Sequence, residues 1–474
     1  MKSNRRNFIK YAGLGSASVL FSPLINAAPD NIPGPIQLRR YERLKDSLKT
    51  DVLVIGAGAS GVPAAIAAAR GGASVILIED DLIPGGAPVD NYVSMLCGGP
   101  RVGIFKEMVD MLDRDYDMTK VRQDQRWYER WFMPSAWLRV ISDKMNAEKN
   151  LRFMGGSPVV NVLISEGENR NNIRGVRVFG KDGRMRDIEA KVVIDATGSG
   201  IVATLAGCEY FYGSEAKSIY NEPIGPEKSS DEVQLCTLMM VSQRLDPAAK
   251  IDLEKLTNPR DPAVGLVGRE PLDEIYRQDT GTYLQWAGTV RCKDTRDPDE
   301  VNRAQSEALE AIEEDVAYLY ENGYVAHIAP KLGVREIRRI VGEKIFTVND
   351  LINPSWPDDV VATGNYGLDS WGASYLKDHE ISLPDAGYGL PYSMFITKGM
   401  ENLFVVGKCV SSTHLGMSAI RVQPIAAQMG EAAGTAAGMA VKNNTDIRSI
   451  EVAELQEKLR KSGLMEGRGG RMNG

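Results

Sequence analysis

The spacing of apolar residues changes several times along the chain. Over residues 51–80, DVLVIGAGASGVPAAIAAARGGASVILIED, a branched apolar run (Val52 to Ile55) is cut by Gly56, Gly58 and Gly61. It gives way to small residues at helical spacing and returns as a second branched run ending on Glu79. That pattern predicts strand, tight turn, helix and strand. Residues 105–150 alternate apolar and charged positions at helical spacing, with Trp127, Trp131 and Trp137 adding apolar surface, and predict two or three helices. From Pro158 to Ile194 the period shortens to branched runs (VVNVLIS, IRGVRVFG, RMRDIEA, KVVIDATG) split by EGENRNN and KDG, a β-meander leading into a further buried strand. The middle, 209–395, carries more proline and charge and a helix near 299–322, and predicts a second, mixed unit. The C-terminal part returns to the first pattern, with NLFVVGK as a buried strand and IRVQPIAAQMGEAAGTAAGMAVKN as a long helix of small residues.

In a strand–turn–helix of this kind Gly56 makes the turn, Gly58 lets the backbone approach a pyrophosphate, and Gly61 lets the helix pack on the sheet. Free N–H groups at the helix start favour an anion there. Glu79, about twenty residues on, stands where an acid accepts hydrogen bonds from both ribose hydroxyls of a dinucleotide. A nucleotide unit that opens near residue 50, is interrupted, and is completed after 400 encloses its cofactor between its first and last segments. The expected fold is therefore α/β: a Rossmann-like domain of parallel sheet plus β-meander, with an inserted mixed α+β substrate or cap domain. Gly430, Gly434 and Gly438 recur every fourth residue and form a ridge without side chains, suited to packing on sheet or cofactor. Gln423, Gln428, Glu431 and Lys442 argue against a membrane helix there.

Charge and cysteine usage narrow the partners. At 474 residues the chain is long for one core, and a net charge of -7 leaves no basic footprint for nucleic acid. The first residues, MKSNRRNFIKYAGLGSASVLFSPLINAA, place Arg5 and Arg6 ahead of a mild apolar run that ends in small residues. This resembles a twin-arginine signal processed near Ala27 or Ala28, and predicts export to the periplasm as a folded, cofactor-loaded protein. The run is too short and too broken for a membrane span. Five cysteines (Cys97, Cys208, Cys236, Cys292, Cys409), odd in number and without a CxxC, read as buried thiols, although an exported chain can close one disulfide. They support no iron–sulfur cluster, and three dispersed histidines support no zinc site; no metal is expected.

Five motifs then occur in one order: GAGASG with Glu79, the PGG at Pro84 to Gly86, VVIDATGSGIVATLAG at 192–207, GVREIRRIVGEKIFTVNDL at 333–351, and NLFVVGKCVSSTHLGMSAIRVQP with its Ala/Gly helix. Together, over most of residues 50–445, they resemble the FAD-dependent oxidoreductase family of the glutathione-reductase type, in the group related to the flavoprotein parts of heterodisulfide reductases. The resemblance implies FAD held at Gly56, Gly58, Gly61, Glu79, Gly86, Thr197, Gly198 and Gly407; Ala59 and Ser60 of the same turn and Gln423 of the last helix complete the expected set. This sequence departs from the family in three places. It lacks the cysteine-rich cluster segments, has LDSW (Leu368 to Trp371) where relatives carry Asp-x-His, and has no second GxGxxG to seat a nicotinamide nucleotide. The loop GGAPVDNY has no histidine of the kind that anchors flavin in related enzymes, so FAD is expected without a covalent link.

Four places offer chemistry. Arg421, just ahead of Gln423 and Pro424 at the start of the last helix, is expected to hold an anionic substrate or to stabilise negative charge on reduced flavin; a structural ion pair is the alternative. His414, in the polar loop SSTHLG, is placed either to exchange a proton near neutral pH or only to be hydrogen-bonded. Arg335, Arg338 and Arg339 offer an anion site, with strand alternation turning Arg338 away from the other two and leaving at least one solvated. Cys97 either approaches the flavin or is a buried thiol. The sequence thus predicts an exported FAD enzyme that moves a hydride between flavin N5 and a small organic substrate, anionic if Arg421 binds it, with an unidentified electron donor or acceptor. The alternative class is a flavin-bearing electron-transfer or binding subunit serving a redox protein. The expected divisions are signal 1–28, FAD-binding domain 29–208 and 396–445, substrate or cap domain 209–395, and a terminal helix and tail 446–474.

Overall fold

The computed structural model describes residues 25–26, 36–37, 44, 46–96, 98–116, 130–165, 170–252, 255–256, 282–354, 356–373 and 387–465. The expected export signal, Cys97, Trp127 and the tail after 465 lie outside the described residues, apart from the pair 25–26.

The predicted opening unit forms as β1 (Leu48–Ile55), α1 (Gly61–Arg70) and β2 (Val75–Ile78). The charged–apolar stretch gives α2 (Gly103–Tyr116) and α3 (Pro134–Asn146), followed by β3 (Leu151–Met154). The meander is β4 (Val159–Ser165), β5 (Asn172–Phe179) and β6 (Met185–Asp195). Among the described residues these strands share one eight-stranded sheet, in which β6, β1, β2 and β3 run parallel while β4, β5 and β6 pair antiparallel. Successive residues of β1 point to opposite faces. Val52 and Val54 therefore enter the core under the helices, while Leu53 and Ile55 enter the core shared with Val162, Val176 and Val202.

The middle unit is built on an antiparallel sheet in which β7 (Cys236–Arg244) lies between β8 (Thr282–Val290) and the later β9 (Tyr324–Ile328). Helices α4 (Pro298–Ala311) and α5 (Glu313–Glu321) bury Ala304, Ala308 and Leu319 against it. One helix was expected here; the backbone turns out of helical geometry at Ile312 and splits it.

The chain then re-enters the first sheet. Strand β10 (Leu403–Val405) runs parallel to the end of β6, Phe404 opposite Ile194. It leads through α6 (His414–Ile420) into α7 (Gln423–Asn443). The glycine ridge of α7 packs on α1, not on the sheet or the cofactor as its spacing suggested. A Cβ on Gly430 would press on the Ser60 carbonyl, its carbon 2.8 Å away, and one on Gly434 would meet the Ala64 carbonyl carbon at the same distance. No helix among the described residues is long and apolar enough to cross a membrane.

Candidate active site

The glycine turn stands between β1 and α1 because the chain has no room there for side chains. Gly56 has φ +95°, and a Cβ on it would lie 2.6 Å from the Ala196 carbonyl oxygen; a Cβ on Gly61 would collide with the Gly56 carbonyl. Gly58 differs. An added Cβ would meet only the Gly86 Cα, at 3.9 Å, so protein packing does not require this glycine. It lies on the wall of a cavity of about 1030 Å³, together with Gly56, Ala59, Ser60, Glu79 and Gly86. That volume is at the upper end of the ~300–1,000 Å³ typical of cofactor and ligand sites. Gly61 stands behind this wall, where its bareness serves packing.

At one end of the cavity Glu79 accepts hydrogen bonds from the N–H groups of Ala57 (2.5 Å) and Asp80 (2.9 Å). Burial, reinforced by Asp80 beside it, pushes its carboxyl up to about 8. Thr197, Gly198 and Gly407 line the same cavity. Their turn is organised by Asp195, which is fully buried and accepts from Thr197 Oγ1 (2.6 Å), Thr197 N (3.1 Å) and Ala203 N (3.0 Å). Gln423, buried at the start of α7, donates to the Val93 carbonyl while its Oε1 has no partner.

The cavity continues into a chamber whose far wall comes from the middle unit: Thr237 and Met239 of β7, Leu284 and Trp286 of β8, and Val301 of α4. Arg421 caps the end of α6 and reaches this chamber. Its Nη2 donates to the Asp369 carboxylate (2.8 Å) and carbonyl (2.9 Å), while Nε is buried without a partner. Tyr366 also donates to Asp369, at 2.9 Å. Arg335 lies 4.0 Å from the ring centre of Trp371 and donates from Nη1 to the Leu235 carbonyl and Thr237 Oγ1, both at 2.7 Å. Burial lowers its pKa to about 9, and the neighbouring Arg421 adds to this. Lys408, held by the Val334 carbonyl at 2.5 Å, is lowered by burial as well.

His414 is not brought to the cavity wall. It is the first residue of α6 and not part of a loop, and it is only 4% exposed. Its Nδ1 lies 2.8 Å from Glu336 and its Nε2 3.0 Å from Ser370 Oγ. Burial and the adjacent Arg339 lower its pKa to about 4, which favours the neutral ring at pH 7. A neutral ring that donates from Nδ1 to the carboxylate must accept at Nε2 from the serine. Arg339 is wholly buried between Glu215 (2.6 Å) and Glu336. Arg338, 8% exposed, sits 5.4 Å from the Tyr210 ring. Arg338 and Arg339 are both buried and only Arg335 is half-exposed, toward the cavity, contrary to the alternation argument, because only Arg339–Ile340 of that segment is strand.

The cavity thus brings together Gly56, Gly58, Ala59, Ser60, Glu79, Gly86, Thr197, Gly198, Gly407, Arg421 and Gln423. Lys408, Asp369 and Asp195 were not singled out in the sequence. Two of them carried a signal: Lys408 and Asp195 are charges that close the apolar runs LFVVGK and VVID.

A family model described as FAD dependent oxidoreductase matches residues 51–459. A stretch of 101 residues is 34% identical to a vinyl phenol reductase of Lactiplantibacillus plantarum, covering 19% of this chain and 20% of that protein, so the match spans a fifth of the relative's length. Among solved structures, a geranylgeranyl bacteriochlorophyll reductase-like protein of Thermoplasma acidophilum is similar at 13% identity and a TM-score of 0.39, over 88% of this chain and 85% of that one. The p-nitrophenol 4-monooxygenase of Pseudomonas putida is similar at 11% identity and a TM-score of 0.41, over 87% and 85%.

Proposed function

The chain belongs to the FAD-dependent oxidoreductase family, and from that premise we propose that it moves a hydride between a small organic substrate and FAD. When bound, FAD supplies the two-electron chemistry at N5. The residues present fit the cofactor: a glycine that only a ligand requires, an acid at the ribose end, and the partnerless Oε1 of Gln423. One observation carries the proposal: the cavity runs unbroken from the glycine turn into a chamber walled by the middle unit. Met239, Leu284, Trp286 and Val301 give that chamber an apolar wall, which strengthens charge interactions beside it. Asp369 and Tyr366 fix the Arg421 guanidinium in one orientation, a preorganised donor for negative charge that develops beside it. His414 acts only from behind, through Ser370 in the loop that carries Asp369 and Trp371.

An anaerobic screen of the purified flavoprotein against small metabolites tests this. Bleaching of the flavin band by a small molecule supports the proposal, whereas reduction solely by a redox protein would replace it with an electron-transfer subunit. We further propose non-covalent FAD, which acid precipitation should leave yellow in the supernatant, and membership of the group near heterodisulfide reductase flavoproteins. Export by the twin-arginine route to the periplasm is proposed from Arg5 and Arg6. Replacing both by Lys should hold the FAD-loaded precursor in the cytoplasm, and normal arrival in the periplasm would overturn the route.

A further inference from the structure

The charges around the chamber do not balance. Asp369, the cavity carboxylate at this end, is taken by Arg421 and Tyr366. The other acids on the wall, Glu79, Asp80, Asp81 and Asp90, gather at the ribose end, where Lys331 pairs with Asp81 and Asp90. Arg335 and Lys408 are left over. Among the described residues neither has a carboxylate within ion-pair distance, Asp369 acting on Arg335 only from farther off, and both are half-buried on the cavity wall. A desolvated cation without a counter-charge is expensive, and at a binding site the ligand is what offsets that cost.

The geometry of Arg335 narrows the ligand further. Both protons of Nη1 are spent on Leu235 and Thr237, and the face of the guanidinium rests against Trp371. What remains is the edge formed by Nε and Nη2, which makes no hydrogen bond among the described residues. Two parallel N–H groups on one planar edge match a carboxylate. Lys408 is tied to the carbonyl of Val334, the residue before Arg335, and brings a second positive charge to the same segment. Met239, Leu284, Trp286, Val301, Leu332 and Val334 give the rest of the chamber a mainly apolar wall, interrupted by Thr237, Gln305 and Asn365.

We propose that the substrate is a carboxylic acid with an apolar body, its carboxylate paired with the free edge of Arg335 and neutralised with the help of Lys408. This rests on the chamber being the substrate site. Arg421 is then the preorganised charge near the reacting atoms, and Arg335 with Lys408 sets which molecules enter.

The test uses the FAD-loaded protein, with benzoate as probe and benzamide as its neutral counterpart, read by perturbation of the visible flavin band. Benzoate should titrate to saturation and benzamide at least tenfold more weakly. Arg335→Gln and Lys408→Met should each weaken benzoate at least tenfold while FAD affinity stays within twofold. Should Arg335→Gln fail to fold through loss of its strand contacts, Lys408→Met still decides. Equal titration by the two probes would overturn the inference, as would variants that keep benzoate, or variants that lose FAD instead and so assign these cations to the cofactor phosphates. Benzoate binding with no metabolite able to bleach the flavin would uphold the carboxylate site and sink the hydride proposal; bleaching by a neutral compound with benzoate silent would do the reverse.

Discussion

Three chemically identical substitutions on one helix should differ in sign. Ala is intrinsically better than Gly inside a helix by about 1 kcal/mol, so Gly→Ala anywhere along α7 starts with a gain. At Gly438 nothing opposes it: the nearest atom to an added Cβ is the Ala68 carbonyl oxygen, at 3.5 Å, an ordinary contact. At Gly434 the new methyl would lie 2.8 Å from the carbonyl carbon of Ala64 and 2.9 Å from its Cα, with the oxygen closer still. The carbon alone is about 0.6 Å inside the 3.4 Å at which ordinary contact begins, and every obstructing atom is backbone. Overpacking of this kind costs ~1–3 kcal/mol and sometimes more. Because no side chain can swing aside, the upper half of that range applies, which leaves a net loss of about 1–2 kcal/mol. Thermal unfolding followed by circular dichroism and by release of flavin fluorescence should show Gly434→Ala melting below the parent and Gly438→Ala slightly above it. Gly430→Ala should melt low and also shed FAD early, because it would press on Ser60 in the cofactor turn. Melting points that shift together, or a Gly438→Ala that is the worst of the three, would show that α7 does not rest on α1 as described.

Gly58→Ala should leave the melting point of the FAD-free protein unchanged while weakening FAD at least tenfold by equilibrium dialysis, since only the cavity is filled; loss of fold would refute this. FAD affinity should rise with pH between 6 and 8 and level off above. The Glu79 carboxyl is protonated below about 8 in the free protein, and ribose hydroxyls donate best to its ionised form, so binding releases a proton. Calorimetry in two buffers of different ionisation heat reads that proton directly, and a flat profile would refute it. Arg421→Ala should keep FAD but slow substrate-driven flavin reduction ~10²-fold or more, with only partial rescue by Lys; an unchanged rate in stopped flow would place Arg421 outside the chemistry.

Local pattern revealed much of this. The opening strand–turn–helix and the meander were legible because periods of 2 and 3.6 residues are written into neighbouring positions, and the GAGASG turn because its glycines are spaced within one short segment, Gly61 answering to the Gly56 carbonyl, although Gly56 itself answers to the distant Ala196. The chamber was not legible. Asp369, Arg335 and Lys408 come from separate segments whose approach depends on how the middle unit closes over the first, and no spacing encodes that. Polarity misled at SSTHLG: Ser412, Thr413 and His414 are buried, the Ser412 carbonyl accepting from Arg339 (3.1 Å) and Thr413 donating to Glu222 (2.7 Å). A polar run that reads as a loop is here an interior ion network. Likewise the 333–339 segment is irregular in space, which is why Arg338 and Arg339 are both buried while Arg335 is half-buried on the cavity wall.

The packing of α7 on α1 also sets a clock. Gly58 and Gly434 are separated by 376 residues of chain. At about 5–20 residues per second, a ribosome takes roughly 20–75 s to travel between them. During that interval the cofactor turn exists without the helix that presses on Ser60 and Ala64, and without β10 beside β6. Contacts this distant in sequence form late and slowly. FAD therefore meets a complete pocket only once α7 has been made, and a nascent chain must keep an alanine-rich helix face covered until then. A fragment that stops before residue 423 should stay colourless however much flavin surrounds it.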